Sequence, residues 1–383
     1  MEIGPPGYAA AFVFALALAW VLTPLMLRLA LRFSALDVPD ARKAQTSPVP
    51  YLGGVAIVLA FSATVLVAGA VAGPNSGLRP LAAVLGVGVV LALMGLVDDL
   101  RGVSPYLRLA VEAAAGLVVY LTEPAISLPG PAWFGAALTV LWVVAVTNAF
   151  NLLDNMDGLS AGVAAIAAGA FCLIAALNGQ YLVAALAAAT AGCATGFLRH
   201  NFHPAKIYMG DAGSLFLGFL LAALAVRLRL EDAPRAVALF VPVVVLGVAL
   251  LDTTLVTLDR LRHRLSPMNG GRDHISHRLV WVGIPVPVSV GLIYGLAASL
   301  AFLAVLLARL DTVSGMLLVG FVLTAGVGLL GLLSAVPVYA TSRQRTAMLR
   351  VVRQHEPEPL AGAGSSAGAR SAGKGAKPGE GLG

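Results

Sequence analysis

The sequence predicts an all-α protein, a polytopic bundle of membrane-spanning helices, and two observations lead to this prediction. Hydrophobic residues make up 59% of the 383 residues and charged residues only 11%, which gives a mean hydropathy of +0.89. Apolar runs of about twenty residues recur along the chain, and a helix of that length spans a bilayer. We therefore predict about eleven transmembrane helices, at residues 8–30, 51–72, 80–97, 106–121, 132–149, 159–177, 180–198, 212–228, 236–258, 282–308 and 313–340.

The loop charges predict how these helices cross the membrane. The first run has no basic segment before it and is longer than the apolar region of a signal peptide, so we expect it to remain as a span. Cytoplasmic loops carry an excess of Lys and Arg. All but five of the 25 Lys and Arg residues lie in or beside the odd-numbered loops and the C-terminal tail. This distribution predicts a cytoplasmic (inner) membrane protein with its N-terminus outside and its C-terminus in the cytoplasm.

The remaining composition excludes several classes of function. The two cysteines, Cys172 and Cys193, both lie inside apolar spans, which argues against a disulfide framework or a zinc site. The pI of 9.6 follows from the loop charges, and no basic patch with interleaved aromatic residues is present, so nucleic acid is not an expected partner.

Two regions are predicted along the chain. A transmembrane domain covers residues 1–345. A cytoplasmic tail, residues 356–383, is rich in Gly, Ala and Ser and has almost no apolar residues to bury, which predicts disorder.

Polar residues interrupt this apolar chain in five places. The first of these segments is basic and the second is acidic. Arg42 and Lys43 lie in the first loop, where they form either a plain basic juxtamembrane loop or a site for an anionic lipid head group. Asp98 and Asp99 close the third span. The helix macrodipole disfavours acids at a helix C-terminus, so we expect a divalent cation or nearby Arg101 and Arg108 to offset them.

The third segment is NAFNLLDNMDG, at residues 148–158. Asn148, Asn151, Asp154 and Asp157 recur at every third residue, which would place them along one side of a helix. Their amide and carboxylate oxygens suit a hard cation such as Mg²⁺, or hydrogen bonds to a sugar and a base. Ionisable groups at the end of a span usually mark a function.

The fourth and fifth segments carry further candidates. Asp211 lies between two glycines at the predicted start of the eighth span, which is typical of a helix N-cap. Asn201 and Lys206 precede it and favour a phosphate and metal site instead. In the ninth loop, His274 and His277 could bind a diphosphate or a sugar, or, less favoured, a metal.

All of these segments fall at the ends of odd-numbered loops, on one face of the membrane. An ion-coupled transporter would be expected to hold its essential polar groups near the bilayer midplane. An enzyme that takes a soluble substrate from the cytoplasm would gather them at one face, and we expect that arrangement. The transporter alternative would use Asp98, Glu112, Asp154 and Asp252 as its relay.

The order and spacing of these motifs resemble the polyprenyl-phosphate N-acetylhexosamine-1-phosphate transferases. The matching motifs are DD at 98–99, NAFNLLDNMDGL from 148, NFHPAKIYMGDAGSL from 201 and GGRDHISHRL from 270. The resemblance covers about residues 12–340. It implies ten or eleven membrane helices with an active site in a cytoplasmic cleft.

The resemblance also implies a reaction. N-acetylhexosamine 1-phosphate, most often GlcNAc 1-phosphate, would pass from a UDP-sugar to undecaprenyl or another polyprenyl phosphate, with Mg²⁺ (or Mn²⁺) required and UMP released. The product would start a lipid-linked cell-envelope glycan such as O-antigen, teichoic acid or arabinogalactan. The chain could also form a homodimer, which remains to be tested.

The resemblance assigns roles by motif position. Asp211 would bind the metal with help from Asn151, and Asp98 and Asp99 would be the catalytic pair. The nucleotide would be bound by Asp154 and Asp157, and the sugar by the loop that carries His274 and His277.

Two departures from the family pattern keep alternatives open. The family usually has a histidine where this chain has Gln45, and Ser276 interrupts a His-x-His-His pattern. A phospho-N-acetylmuramoyl-pentapeptide transferase typically has three consecutive histidines in this loop, whereas this chain has DHISHR. That activity and a catalytically inactive scaffold remain alternatives. The attack on the sugar nucleotide could be direct or pass through a phospho-aspartyl intermediate, and we expect direct attack.

Overall fold

The computed structural model describes residues 4–37, 48–72, 78–122, 131–231, 233–268 and 270–339. Its helices are α1 (Pro5–Arg32), α2 (Gly53–Ala72), α3 (Leu78–Arg101), α4 (Pro105–Thr122), α5 (Ala132–Leu153), α6 (Leu159–Leu177), α7 (Tyr181–Asn201), α8 (Gly210–Arg227), α9 (Arg235–Ala238), α10 (Phe240–Val245), α11 (Gly247–Arg262), α12 (Ile275–Trp281), α13 (Val286–Leu307) and α14 (Thr312–Ser334). Two short strands, β1 (Leu36–Asp37) and β2 (Val49–Pro50), pair antiparallel.

The predicted membrane bundle is confirmed. Within the described ranges, ten helices are long and apolar enough to cross a bilayer, and the number is eleven if the bent pair from Arg235 to Arg262 counts as one span. The chain is therefore a multi-pass membrane protein. The tail and residues 42–43 lie outside the described residues, so the expectations for them remain predictions.

The ninth span is broken, which the hydropathy pattern does not predict. The axes of Arg235–Val245 and Gly247–Arg262 differ by 73°. Pro242 lies within α10, where its ring removes a backbone donor and disfavours a straight helix. The last two predicted spans also differ in extent: α13 begins at Val286 rather than at 282, and α14 ends at Ser334 rather than near 340. The short helix α12 precedes α13 and was not predicted.

Helix α8 forms the centre of the bundle. Every residue from Ala212 to Ala225 is buried, as expected for a helix that is apolar on all sides. It packs against α2, α3 and α5. Two glycines allow this close approach: a Cβ on Gly54 would lie 2.2 Å from the Gly213 nitrogen, and one on Gly95 would lie 2.5 Å from the Asp211 carbonyl carbon.

Backbone hydrogen bonds fix the start of α8 against the end of the first loop. The nitrogens of Gly53 and Gly54 donate to the carbonyls of Tyr208 and Met209, at 3.0 and 2.8 Å, and the Tyr208 nitrogen donates to Pro50 at 2.7 Å. Backbone hydrogen bonds thus hold Tyr208 and Met209, just before Asp211, against the start of α2.

Candidate active site

Asp99 joins the end of α3 to the start of α8. Its two carboxylate oxygens accept hydrogen bonds from the backbone nitrogens of Asp211 (3.0 Å) and Ala212 (3.3 Å). These nitrogens belong to the first turn of a helix and have no partner within it. The favourable N-terminus of α8 therefore offsets the unfavourable C-terminus of α3, a source of stabilisation that the sequence analysis did not consider.

Asp98 has a different set of partners. Its Oδ1 accepts from the backbone nitrogen of Val103 at 2.7 Å, and its Oδ2 lies 3.5 Å from the Arg108 guanidinium. The same nitrogen of Arg108 is 3.5 Å from Asp211 Oδ2. Arg108 also lies 3.8 Å from the buried Glu112, so one guanidinium lies close to three carboxylates.

Asn151 and Asp211, predicted as metal ligands, are adjacent. The amide nitrogen of Asn151 donates to Asp211 Oδ1 at 2.7 Å and to Ser214 Oγ at 3.0 Å. Rotating this amide by 180° would present its oxygen to the same point, and the two orientations have the same shape. Both residues are thus close enough to contact one cation.

The predicted row of four residues on one helix face is wrong in its second half. Helix α5 ends at Leu153, and Asp154 has φ −78° and ψ 48°, so only Asn148 and Asn151 are helical. Gly158, with φ +75°, begins the next helix. Because the helix ends at Leu153, Asp154 and Asp157 lie outside the helical row.

Asn148 lies one turn deeper than Asn151 and is held within the protein. Its amide nitrogen donates to Glu112 and to the carbonyl of Val144 at 2.9 Å. In this placement Asn148 supports Glu112, and its predicted role in substrate binding stays a prediction.

Asp154 is half-buried and has no hydrogen-bond donor among the described residues. Burial and, to a smaller extent, the neighbouring carboxylates of Asp211, Asp99 and Asp157 together raise the pKa of this carboxyl to about 8. Uncompensated carboxylates held this close repel one another. A divalent cation would relieve that repulsion.

The donor set fits Mg²⁺, which prefers oxygen ligands and commonly takes one or two carboxylates, several waters and substrate phosphates. Across the ranges that the structure describes, no three His, Cys, Asp or Glu side chains form a ready-made metal cage. Such a cage is not required for a metal that also binds phosphate oxygens. Asp211 and Asn151 could therefore supply the protein ligands, with waters and substrate phosphates as the others.

Asp157, which follows α5, binds the segment 201–210 through hydrogen bonds. Its Oδ2 accepts from the Ala205 nitrogen at 3.0 Å and lies 2.8 Å from His203 Nδ1. His203 is not among the site residues predicted from the sequence. The signal was present, since this histidine belongs to the same polar segment as Asn201 and Lys206.

Asn201 supports the backbone in this structure, and its predicted role in substrate binding stays a prediction. Its side chain is 2% exposed, its oxygen accepts from the Gly158 nitrogen at 3.1 Å, and its nitrogen donates to the Ile207 carbonyl at 3.0 Å. These two hydrogen bonds use much of the hydrogen-bonding capacity of the amide. Lys206, in contrast, is exposed and remains available to bind phosphate.

The ninth loop is fixed to α11 by buried ionic contacts. Arg260 binds Asp273 through two nitrogens, each at 2.8 Å. Arg278 donates to Asp259 at 2.5 Å and to the Leu333 carbonyl of α14 at 2.7 Å. The sequence analysis attributed these arginines to membrane topology alone, whereas two of them also hold the loop.

The two histidines of this loop differ in their surroundings. His274 is 3% exposed, and its Nδ1 lies 2.7 Å from Asp252 Oδ2. His277 lies beside it, with 6.1 Å between ring centroids. Burial, followed by the positive fields of His274 and Arg272, lowers the pKa of His277 to about 4. His277 is therefore neutral near pH 7.

A single side-chain hydrogen bond connects the ninth loop to the segment that carries Asp154. Ser276 Oγ donates to Asn155 Oδ1 at 2.5 Å. Ser276 is the residue that departs from the family's histidine pattern, and here it has a structural partner. Side-chain hydrogen bonds thus link the ends of α3 and α5, the start of α8, the segment 201–210 and the ninth loop.

Comparison with known proteins identifies the family of this chain. A family model described as glycosyl transferase family 4 matches residues 81–229. The chain is 32% identical over 293 residues to a probable undecaprenyl-phosphate N-acetylglucosaminyl 1-phosphate transferase of Bacillus subtilis, covering 74% of this chain and 80% of that protein.

Two further relatives represent different branches. A decaprenyl-phosphate N-acetylglucosaminephosphotransferase of Mycolicibacterium smegmatis is 31% identical over 333 residues, covering 79% of this chain and 81% of the relative. A phospho-N-acetylmuramoyl-pentapeptide-transferase of Geobacillus kaustophilus is 33% identical over 283 residues, covering 68% and 86%. With relatives of this similarity matched over most of their length, the chain belongs to glycosyl transferase family 4.

Proposed function

We propose that this chain transfers N-acetylhexosamine 1-phosphate, with GlcNAc as the sugar, from a UDP-sugar to a polyprenyl phosphate and releases UMP. The observation that carries the proposal is the meeting of Asp98, Asp99, Asn151 and Asp211 at one end of a membrane bundle. The choice of GlcNAc is supported by the names of the Bacillus and Mycolicibacterium relatives.

Mg²⁺ is the proposed cofactor, with Mn²⁺ as a substitute, and Asp211 and Asn151 would hold it. When bound, the ion would neutralise charge on the diphosphate and so reduce its repulsion of the incoming phosphate. Arg108 lies 3.5 Å from both Asp98 and Asp211 and would meet phosphate oxygens at the same place. Lys206, at the exposed edge, would add a further positive charge.

Direct attack by the lipid phosphate on the β-phosphorus of the donor is the proposed route. Both oxygens of Asp99 already accept backbone hydrogen bonds, and both oxygens of Asp98 have partners. Carboxylates that already accept hydrogen bonds are poor nucleophiles, but they can position the groups around them. A phosphomonoester has a second pKa of about 6, so the acceptor is largely dianionic near pH 7 and needs no general base.

The donor and acceptor reach the site from different sides in this proposal. The acceptor's polyprenyl chain stays in the bilayer, and the UDP-sugar comes from the cytoplasm. The distribution of Lys and Arg among the loops supports an orientation with the C-terminus in the cytoplasm. In bacteria this corresponds to the cytoplasmic membrane and to the first lipid-linked step of an envelope glycan.

A transporter is not proposed. Asp252, which most favoured a relay, is bonded to His274 and to the Ile275 nitrogen, and the relatives described above are transferases.

The test is UMP release by the purified protein in detergent. Undecaprenyl phosphate and Mg²⁺ would be supplied with UDP-GlcNAc, UDP-GalNAc or UDP-N-acetylmuramoyl-pentapeptide in separate reactions. We expect release with UDP-GlcNAc that depends on the lipid. Release with the pentapeptide donor alone would establish the other branch, and no release with any donor would refute the proposal.

A further inference from the structure

Glu112 is a buried acid that lies one helical turn from Arg108 on α4. Its side chain is 0% exposed, and the sequence assigns it no role in the proposed reaction. Carboxylates are rarely buried without partners, so the partners of Glu112 indicate what it does. Only one of its two oxygens has a hydrogen bond among the described residues, namely Oε2, which accepts from the amide nitrogen of Asn148.

The surroundings of Glu112 favour its ionised form. The Asn148 nitrogen also donates to the Val144 carbonyl at 2.9 Å. Because a carbonyl only accepts, this second contact fixes which end of the amide faces Glu112. The other neighbour, the Arg108 guanidinium, has only donors. Both neighbours thus supply donors, which stabilise a carboxylate over a carboxylic acid.

Two buried polar atoms without hydrogen-bond partners face each other beside the site. They are Arg108 Nε and Glu112 Oε1, which lie 3.8 Å apart. This distance is too long for a hydrogen bond, and an unsatisfied buried polar group is costly. A charge-assisted bond between such groups is about 2.8 Å long, so a movement of about 1 Å would give both atoms a partner.

The carboxylates of the site hold Arg108 in its present position. The NH1 nitrogen of Arg108 lies 3.5 Å from Asp98 Oδ2 and 3.5 Å from Asp211 Oδ2. Both contacts are long, since a strong bond between a guanidinium and a carboxylate measures about 2.7–2.9 Å. Arg108 is thus shared among three carboxylates without a close bond to any of them.

A divalent cation at Asp211 would change this balance. The cation would neutralise the carboxylate that attracts Arg108 and would itself repel the guanidinium. Glu112 then offers Arg108 a carboxylate oxygen that no other described residue uses. Because the required movement is only about 1 Å, the terminal nitrogens of Arg108 would stay close to the place where donor phosphates are expected.

We propose that Glu112 is a positioning residue that binds Arg108 Nε when a divalent cation occupies Asp211. In this position Arg108 no longer competes for the Asp211 carboxylate and still faces the phosphates of the donor. Glu112 touches neither the metal nor the substrate and acts only through Arg108. The inference rests on the proposed function, because the cation is the one that the proposed reaction requires.

Binding of Mn²⁺ alone to the purified full-length protein in detergent tests this proposal without turnover. Electron paramagnetic resonance measures free Mn²⁺, and Asp211→Asn identifies the fraction bound at the site. We expect Glu112→Gln to weaken this binding about 10-fold, because the occupied state loses a hydrogen bond between charged groups. Glu112→Asp keeps the charge but is one methylene shorter, so we expect a similar loss.

Asp259→Asn is the matched control for these variants. It also removes a buried carboxylate that binds an arginine, but its partner is Arg278 in the ninth loop. We expect this variant to bind Mn²⁺ with the wild-type affinity. Wild-type affinity in either Glu112 variant would overturn the proposal.

The Arg108→Gln background separates positioning from direct attraction of the metal. If Glu112 acts through Arg108, Glu112→Gln causes no further change of affinity in the Arg108→Gln protein. An equal loss in both backgrounds would mean that the charge of Glu112 attracts the cation directly, and it would overturn the proposal.

Nitrogen NMR of arginine-labelled protein follows the contact itself. The Nε–H signal of Arg108 is assigned by its absence in Arg108→Gln. We expect Mg²⁺ to shift this signal downfield in the wild-type protein, as a new hydrogen bond would, and to leave it nearly unchanged in Glu112→Gln. A wild-type signal that does not respond to Mg²⁺ would refute the movement.

Failure of this inference and failure of the proposed reaction are distinguishable. Mn²⁺ binding that depends on Asp211 but is equally tight in the wild-type and Glu112→Gln proteins would overturn this inference alone. Absence of UMP release, with the expected Mn²⁺ affinities, would refute the proposed reaction alone. Absence of any Asp211-dependent Mn²⁺ binding would overturn this inference together with the proposed cofactor site.

Discussion

Replacing Gly95 with alanine tests whether the contact between α3 and α8 builds the site. A Cβ at this buried position would lie 2.5 Å from the backbone of Asp211, whereas ordinary contact begins at 3.4 Å. The helices would have to separate by about 0.9 Å. That shift would stretch the Asp99 bonds, now 3.0 and 3.3 Å, to about 4 Å, beyond hydrogen-bonding distance.

Two measurements follow from this displacement. Overpacking of this kind costs about 1–3 kcal/mol, so the thermal midpoint in detergent should fall modestly. UMP release should fall about 100-fold, as expected for a shift of about 1 Å at reacting groups. Gly86→Ala is the matched control, because nothing lies within 4 Å of a Cβ at that position of the same helix. Full activity of Gly95→Ala would refute the role given to this contact.

Three further predictions concern stability, pH and the metal. Asn201→Ala should lower the free energy of unfolding by about 2 kcal/mol, because two buried backbone groups lose their partner; Asn178→Ala, which loses only a bond to its own helix, should cost less in the same thermal assay. His277 has a pKa of about 4 in the folded chain against 6.5 unperturbed. The unfolded chain thus binds the extra proton between these values, so stability should fall as pH drops from 6.5 to about 4, and H277Q should flatten this dependence. Arg108→Gln should lower the Mg²⁺ concentration needed for half-maximal UMP release. The substitution removes a positive guanidinium that competes with Mg²⁺ for the carboxylates of Asp98 and Asp211.

Each of these has a contrary outcome. Equal midpoints for the two asparagine variants would contradict the supporting role of Asn201. An unchanged pH profile in H277Q would show that another group titrates in that window. A higher Mg²⁺ requirement in Arg108→Gln would mean that the arginine assists the metal rather than competes with it.

The helices could be predicted from the sequence because lipid imposes one rule on every span, namely length and apolarity. The break in the ninth span could not, since a hydropathy window counts Pro242 within an apolar run and does not register its missing donor. The end of α5 at Leu153 was missed for a similar reason. A three-residue spacing predicts a helical row only while the helix continues, and here it stops before Asp154.

The site was predictable in its residue types but less so in its roles. Asp98, Asp99, Asn151 and Asp211 attract attention because acids and amides are costly in an apolar chain. Asn201 looks the same in the sequence, yet its partners are backbone groups distant along the chain. Asp252 suggested a transport relay for the same reason, because its contact with His274 depends on how the ninth loop folds back on α11.

UMP release by wild-type protein and by Asp211→Asn, with UDP-GlcNAc, undecaprenyl phosphate and Mg²⁺, tests the central claim most directly. Asp311→Asn is a suitable control, because this aspartate caps α14 at the end of the bundle away from the site. The account predicts lipid- and Mg²⁺-dependent release by the wild-type and control proteins, and a loss of at least about 100-fold in Asp211→Asn. Release by Asp211→Asn at the wild-type rate, with the same Mg²⁺ dependence, would contradict it.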